Sequence, residues 1–124
     1  MDSPTRATPG DTGLRVLFTT LPDGESAARM ARELVDSRLA ACVSILAPAT
    51  SVYRWQGAVE TTQEWPLMIK TAAARVPALQ QALARLHPYE VPELIALPVV
   101  DGLPEYIAWA LAMSSTEGDE ADRN

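Results

Sequence analysis

The apolar positions along the chain fall into runs of two different periods, separated by turn-forming residues. Residues 14–20, Leu-Arg-Val-Leu-Phe-Thr-Thr, are short and rich in β-formers and end at Leu21-Pro22-Asp23-Gly24, which predicts a strand followed by a turn. A helix follows: Ala27, Ala31, Leu34 and Val35 recur at helical spacing, Asp23 is placed to cap the first turn, and Glu25 complements the positive end of the dipole. The run 40–46, with Cys42, Val43 and Ile45, is too short for a helix and is stopped by Pro48, so it reads as a buried strand. From 50 to 71 the pattern is extended, with 52–55 and 67–71 as its clearest strands and Gln56-Gly57 as the break of a hairpin. Pro66 lacks an N–H and is expected at an edge or bulge of that hairpin, outside any central ladder.

A second helix carries Pro77 in its first turn and Leu79, Ala82, Leu83 and Leu86 on one face, and Pro88 stops it. Residues 94–100 form another strand, in which Pro98 again implies an edge or a bulge, and Asp101-Gly102 is a turn. The last helix starts near Pro104 and places Tyr106, Ile107, Trp109, Ala110, Leu111 and Met113 around most of its circumference, so it must be covered on more than one side. The order strand, helix, strand, hairpin strand, helix, strand, helix predicts an α+β fold: a ferredoxin-like split βαβ sandwich with an extended hairpin and an appended C-terminal helix.

Of 124 residues, 48% are hydrophobic and 21% charged, the composition of one globular domain. Residues 1–13 and 114–124 are poor in large apolar side chains and are expected to lack fixed structure, which leaves a folded domain over 14–113. A core that small gains from association, so a neighbouring subunit is expected to cover part of the last helix. The net charge of −6 repels a phosphate backbone, which argues against nucleic acid as a partner. The longest apolar stretch, 39–47, falls far short of the roughly 20 residues that span a bilayer, and no secretory signal pattern opens the chain, so no membrane partner is expected. The single cysteine, Cys42, excludes an internal disulfide and fits a reducing, cytoplasmic setting.

The chemistry of catalysis is sparse. One histidine, His87, and no nucleophile-elbow pattern argue against a hydrolytic triad, and neither phosphate-binding glycine motif occurs. One Cys with one His does not supply a tetrahedral zinc set within a chain, although symmetry can gather ligands from several. Cys42 reads as a small buried hydrophobe. His87 ends the second helix, where it either satisfies the last carbonyls or binds a ligand. Its neighbours keep the second role open: His87-Pro-Tyr-Glu-Val-Pro-Glu93 brings an imidazole, a phenol and two carboxylates onto a Pro-stiffened loop, the wall of a cation or small-molecule pocket or else a rigid connector. Trp55, Trp65 and Trp109 suit an interface or the core. Glu60 and Lys70 are expected on opposite arms of the hairpin, within reach of each other. An enzyme using Glu90 or Glu93 as general base ranks last, because no nucleophile, metal set or cofactor motif accompanies them.

Five segments in fixed order, Ala40-Ala-Cys-Val43, Ser51-Val-Tyr-Arg-Trp-Gln-Gly57, Ile69-Lys-Thr71, His87-Pro-Tyr-Glu-Val-Pro-Glu-Leu94 and Tyr106-Ile-Ala-Trp109, resemble the CutA family of divalent-cation tolerance proteins. The resemblance covers 14–113. It implies a non-enzymatic binding or sensing protein with no catalytic residues, built as a tight homotrimer whose hairpin reaches a neighbouring subunit. Its inter-subunit cleft would be lined by Trp55, Glu60, Lys70, His87, Tyr89, Glu90 and Tyr106. The ligand would be a small molecule or a divalent cation, copper among them, with His87 as the metal position. In some bacterial members copper ligation involves a thiol at the end of the first strand and consecutive histidines at the end of the second helix. Here those places hold Phe18, Leu86 and then His87. Only His87 is kept, so high-affinity copper binding is expected to be weak or absent. The alternative is a structural trimeric scaffold with no metal ligand.

Overall fold

The computed structural model describes residues 10–116. The terminal segments expected to lack fixed structure therefore lie mostly outside the described residues. Where they overlap, the packed region reaches past both expected boundaries: the Thr12 N–H donates to the Val99 carbonyl at 3.2 Å, and Ser114 is fully buried.

Five strands and three helices follow in the order β1 (Leu14–Leu21), α1 (Gly24–Asp36), β2 (Cys42–Ile45), β3 (Ala49–Trp55), β4 (Ala58–Ala72), α2 (Val76–Leu86), β5 (Ile95–Pro98) and α3 (Pro104–Met113), with a 3-10 turn, Ala73–Arg75, before α2. The Asp23 carboxylate caps α1 by accepting the Ser26 N–H at 2.7 Å, as its position predicts. The sheet order is β2-β4-β1-β5, with β4 antiparallel to both β1 and β2 and β5 antiparallel to β1. Each βαβ unit is thus split by a strand of the other, which is the ferredoxin-like arrangement. On one face Leu17 and Leu21 of β1 and Leu67 and Ile69 of β4 meet Ala27, Met30 and Leu34 of α1 and Leu79 and Leu83 of α2. Each fully buried leucine contributes roughly 1.5–3 kcal/mol.

The other face is different. At one end α3 packs Ala110 against Leu14 and Ala41. Beyond it, cross-strand partners Val16 and Leu97, and Phe18 with Met68 and Ile95, share the face that no helix covers. Leu97 and Ile95 are about half exposed, at 50% and 53%. A sheet with one solvated face normally alternates apolar with polar residues; here both faces are apolar.

The strand β4 is 15 residues long and has two roles. Its second half is central in the sheet, while its first half pairs only with β3, forming an arm. At the arm's tip Gln56 and Gly57 both take positive φ, 51° and 84°, the two-residue turn whose twist suits a hairpin. Pro66 bears out part of its expectation: it lies in the central strand, opposite Thr20 of β1, but at a bulge, where residues 46–48 stand against only 65–66 between the pairs Ile45–Leu67 and Ala49–Glu64. Its carbonyl accepts from the Leu46 N–H at 2.9 Å, so its nitrogen faces the same side, at the interval between β2 and β3 where the ladder is interrupted. The strand tolerates Pro66 because that position asks for no N–H. Pro98, in contrast, is on an edge strand as expected. Cys42 is only partly buried, opposite Lys70 on the uncovered face.

Candidate functional site

The residue before a proline avoids the helical region, and α2 accordingly stops at His87, which turns extended (φ −77°, ψ 137°) ahead of Pro88. The turn drives the imidazole inward, to 7% exposure. Its Nε2 lies 2.8 Å from the Thr20 carbonyl, and the Tyr89 N–H donates to its Nδ1 at 3.1 Å. A carbonyl only accepts and a backbone N–H only donates, so the ring is the neutral tautomer with the proton on Nε2. Burial pushes the His87 pKa below its ordinary value, against the opposing pull of the Thr20 carbonyl and the charge of Glu64.

Tyr89 packs its ring on His87 with centroids 4.9 Å apart and donates its hydroxyl to Glu64 Oε2 at 2.9 Å. Thr20 Oγ1 donates to the same oxygen at 3.1 Å. Glu64 of β4 is buried, and it ties the end of β1 to the loop after α2. Burial first, and Glu64 second, raise the Tyr89 pKa far above the phenol range, so this hydroxyl stays a donor. Burial and the nearby Glu64 also raise the Glu93 carboxyl.

Between this cluster and the root of the arm lies a cavity of about 620 Å³, within the size range of small-molecule sites. Tyr53 and Trp55 of β3, Glu64 of β4, and Tyr89, Glu90 and Glu93 from the loop after α2 line it. Of the residues expected to share one cleft, the structure brings Trp55, Tyr89 and Glu90 together here, with His87 directly behind Tyr89. Lys70 and Tyr106 are elsewhere: Lys70 Nζ donates to the Tyr106 hydroxyl at 3.2 Å and lies 5.3 Å from its ring, which leans on Trp109. Glu60 is on the arm opposite Tyr53 and exposed. The expected Glu60–Lys70 approach is corrected: both residues belong to β4, ten positions apart on one strand, and not to facing arms. Sequence reasoning missed Glu64, Thr20 and Tyr53. A lone carboxylate inside a strand carries the pattern of a solvent-facing position, and only the hydroxyls that fold onto Glu64 distinguish it.

His87 does not fit a metal ligand in this arrangement. Both ring nitrogens are engaged, and among the described residues no three His, Cys, Asp or Glu side chains gather around a common point. A divalent metal taken by this chain through His87 would break a hydrogen bond to Thr20 or to Tyr89.

Fold and site together define an α+β ferredoxin-like domain with an appended helix and a ligand-sized cavity beside a projecting arm. The family model described as CutA1 divalent ion tolerance protein matches residues 15–113, and the chain belongs to that family. The divalent-cation tolerance protein CutA of Thermus thermophilus is 47% identical over 94 residues, 76% of this chain and 91% of that one. Protein CutA of Mus musculus is 47% identical over 92 residues, 74% of this chain but 52% of that protein, so this chain spans about half the length of the mouse relative. The crystal structure of CutA from Xylella fastidiosa superposes with a TM-score of 0.81 at 50% identity, covering 83% of this chain and 99% of that one.

Proposed function

We propose that the protein acts in divalent-cation tolerance as a homotrimeric, non-enzymatic binding or sensing module, in which neighbouring subunits complete the cleft at the root of the arm. The observation that carries this reading is the uncovered apolar sheet face formed by Val16, Phe18, Met68, Ile95 and Leu97. Left in water it forgoes roughly 25 cal/mol for each Å² that burial would remove, and three copies with this face turned toward a common axis would bury it in a closed ring. Tyr106 and Trp109 extend the patch along α3, and Val52 and Val59 expose apolar surface on the arm, where a neighbour would grip it. The engaged nitrogens of His87 favour a ligand other than tightly held copper.

Light-scattering mass, with and without chelator, tests the assembly: three 13.4 kDa subunits in both conditions is the expected result, and a monomer overturns it. A thermal-shift screen then tests the binding role, because a bound ligand raises the midpoint by mass action, whereas a trimer indifferent to every compound is a scaffold.

A further inference from the structure

The walls of the cavity discriminate between kinds of ligand. Three carboxylates, Glu64, Glu90 and Glu93, and three rings, Tyr53, Trp55 and Tyr89, border it, and no Lys or Arg does. His87 behind Tyr89 supplies no positive charge near neutral pH, being held as the neutral tautomer. Glu64 is 7% exposed and, among the described residues, has no basic partner; both of its hydrogen bonds fall on Oε2, which leaves the other carboxylate oxygen for a further donor. A buried carboxylate with no counter-charge is destabilising until a cation meets it. Burial first, and the charge of Glu64 second, raise the Glu93 carboxyl.

A bare metal ion is not the cation these groups suit. The carboxylates are spread around a space of about 620 Å³, and no three potential ligands converge among the described residues. Aromatic faces attract a diffuse positive charge and also pack on an apolar body. Thr20 and Tyr89 spend their hydroxyl protons on Glu64, and although Ser51 and Tyr53 keep theirs, an anion would find no cationic side chain in the lining to set against three carboxylates.

We infer that this cavity binds a small organic cation, an aliphatic amine or a quaternary ammonium, with its charged head against Glu64 and its apolar body on Tyr53, Trp55 and Tyr89. The inference rests on the reading of the chain as a binding module, and it does not need the trimer, because every group named belongs to one chain.

Calorimetry of the full chain with cadaverine and with choline, at ionic strength held equal with sodium chloride, tests it. Saturable binding is expected, weakened at least about tenfold by Glu64→Gln, since a charge-assisted contact becomes a neutral one. The amide oxygen still accepts from Tyr89 and Thr20, so the fold and the mass should be unchanged. Glu93→Gln, at an exposed position, is expected to weaken binding as well and keeps the test open if the first variant misfolds. No saturable heat with either probe overturns the inference, as does binding untouched by both variants or displaced stoichiometrically by magnesium or cupric ion. A monomer that binds amine would overturn the assembly alone, and a trimer that ignores amines would overturn the ligand class alone.

Discussion

The Tyr89 hydroxyl and Glu64 Oε2 meet at 2.9 Å, and this bond joins the Pro-rich loop after α2 to the strand that runs through the middle of the sheet. Glu64 also takes Thr20 Oγ1, so three separate parts of the chain converge on one carboxylate.

Tyr89→Phe removes one of the two donors while leaving the ring in contact with His87. Hydrogen bonds to charged groups are worth about 1.5–3 kcal/mol when buried, and this one is partly exposed, so a loss of about 1–2 kcal/mol is expected. Urea unfolding would read it as a lower midpoint at constant slope. An unchanged midpoint would mean that water replaces the phenol without loss.

The burial of His87 makes stability depend on pH. Its folded pKa lies below the ordinary value of 6.5, so the unfolded chain takes up the proton first. The stabilisation is complete above about pH 6.5 and is lost as pH falls from there through the folded pKa. Glu64 and the Thr20 carbonyl narrow this window without closing it. His87→Gln, which keeps a donor for Thr20, is expected to flatten the dependence between about pH 7.5 and 5.5, measured as the difference between the two urea curves. Parallel slopes for the two proteins would show that His87 does not titrate differently on folding.

Gly57 at the tip of the arm has φ +84°, and a Cβ there would meet nothing within 4 Å. The cost of Gly57→Ala is therefore one of backbone conformation, about 1 kcal/mol. Because the first half of β4 pairs only with β3, the loss should stay local. Amide exchange is expected to accelerate in β3 and the facing part of β4 while β1 keeps its protection. Equal acceleration in β1 would show that arm and core unfold as one unit.

Much of the fold was legible because the periods were clean. Leu34 on α1 and Leu79 and Leu83 on α2 reach the core from the faces the pattern marks, Leu17 does so from the expected strand, and Asp23 caps where a cap is expected, whereas Leu21, which the pattern assigns to the turn, closes β1 and is fully buried. Leu86 and Val35 share those faces yet remain about 40% exposed, since a helix end projects past the sheet. Ser114 was read as part of a polar tail, but its hydroxyl donates to the Ala110 carbonyl at 2.8 Å and accepts the Ala72 N–H at 3.0 Å. Small hydroxyls that satisfy distant backbone carry no local signature. The site was legible only in its loop: the His87-Pro-Tyr89 stretch announces itself by composition, whereas Glu64 becomes distinctive only when β1 and the loop fold against it. Lys70 and Glu60 misled for a related reason, because nothing local reveals that one strand continues through Pro66.

That continuity locks the arm to the core in phase. At about 3.4 Å per residue, β4 runs roughly 50 Å, and its side chains alternate faces throughout. A single residue inserted between Glu64 and Trp65 would leave every β3–β4 pair in place yet turn the whole arm over, presenting its back to the Pro-rich loop. Changes of arm length by two residues would preserve the facing of Tyr53 and Trp55. The arm of this protein should accordingly accept growth in even steps and resist odd ones, like a toothed rack that engages only at every second notch.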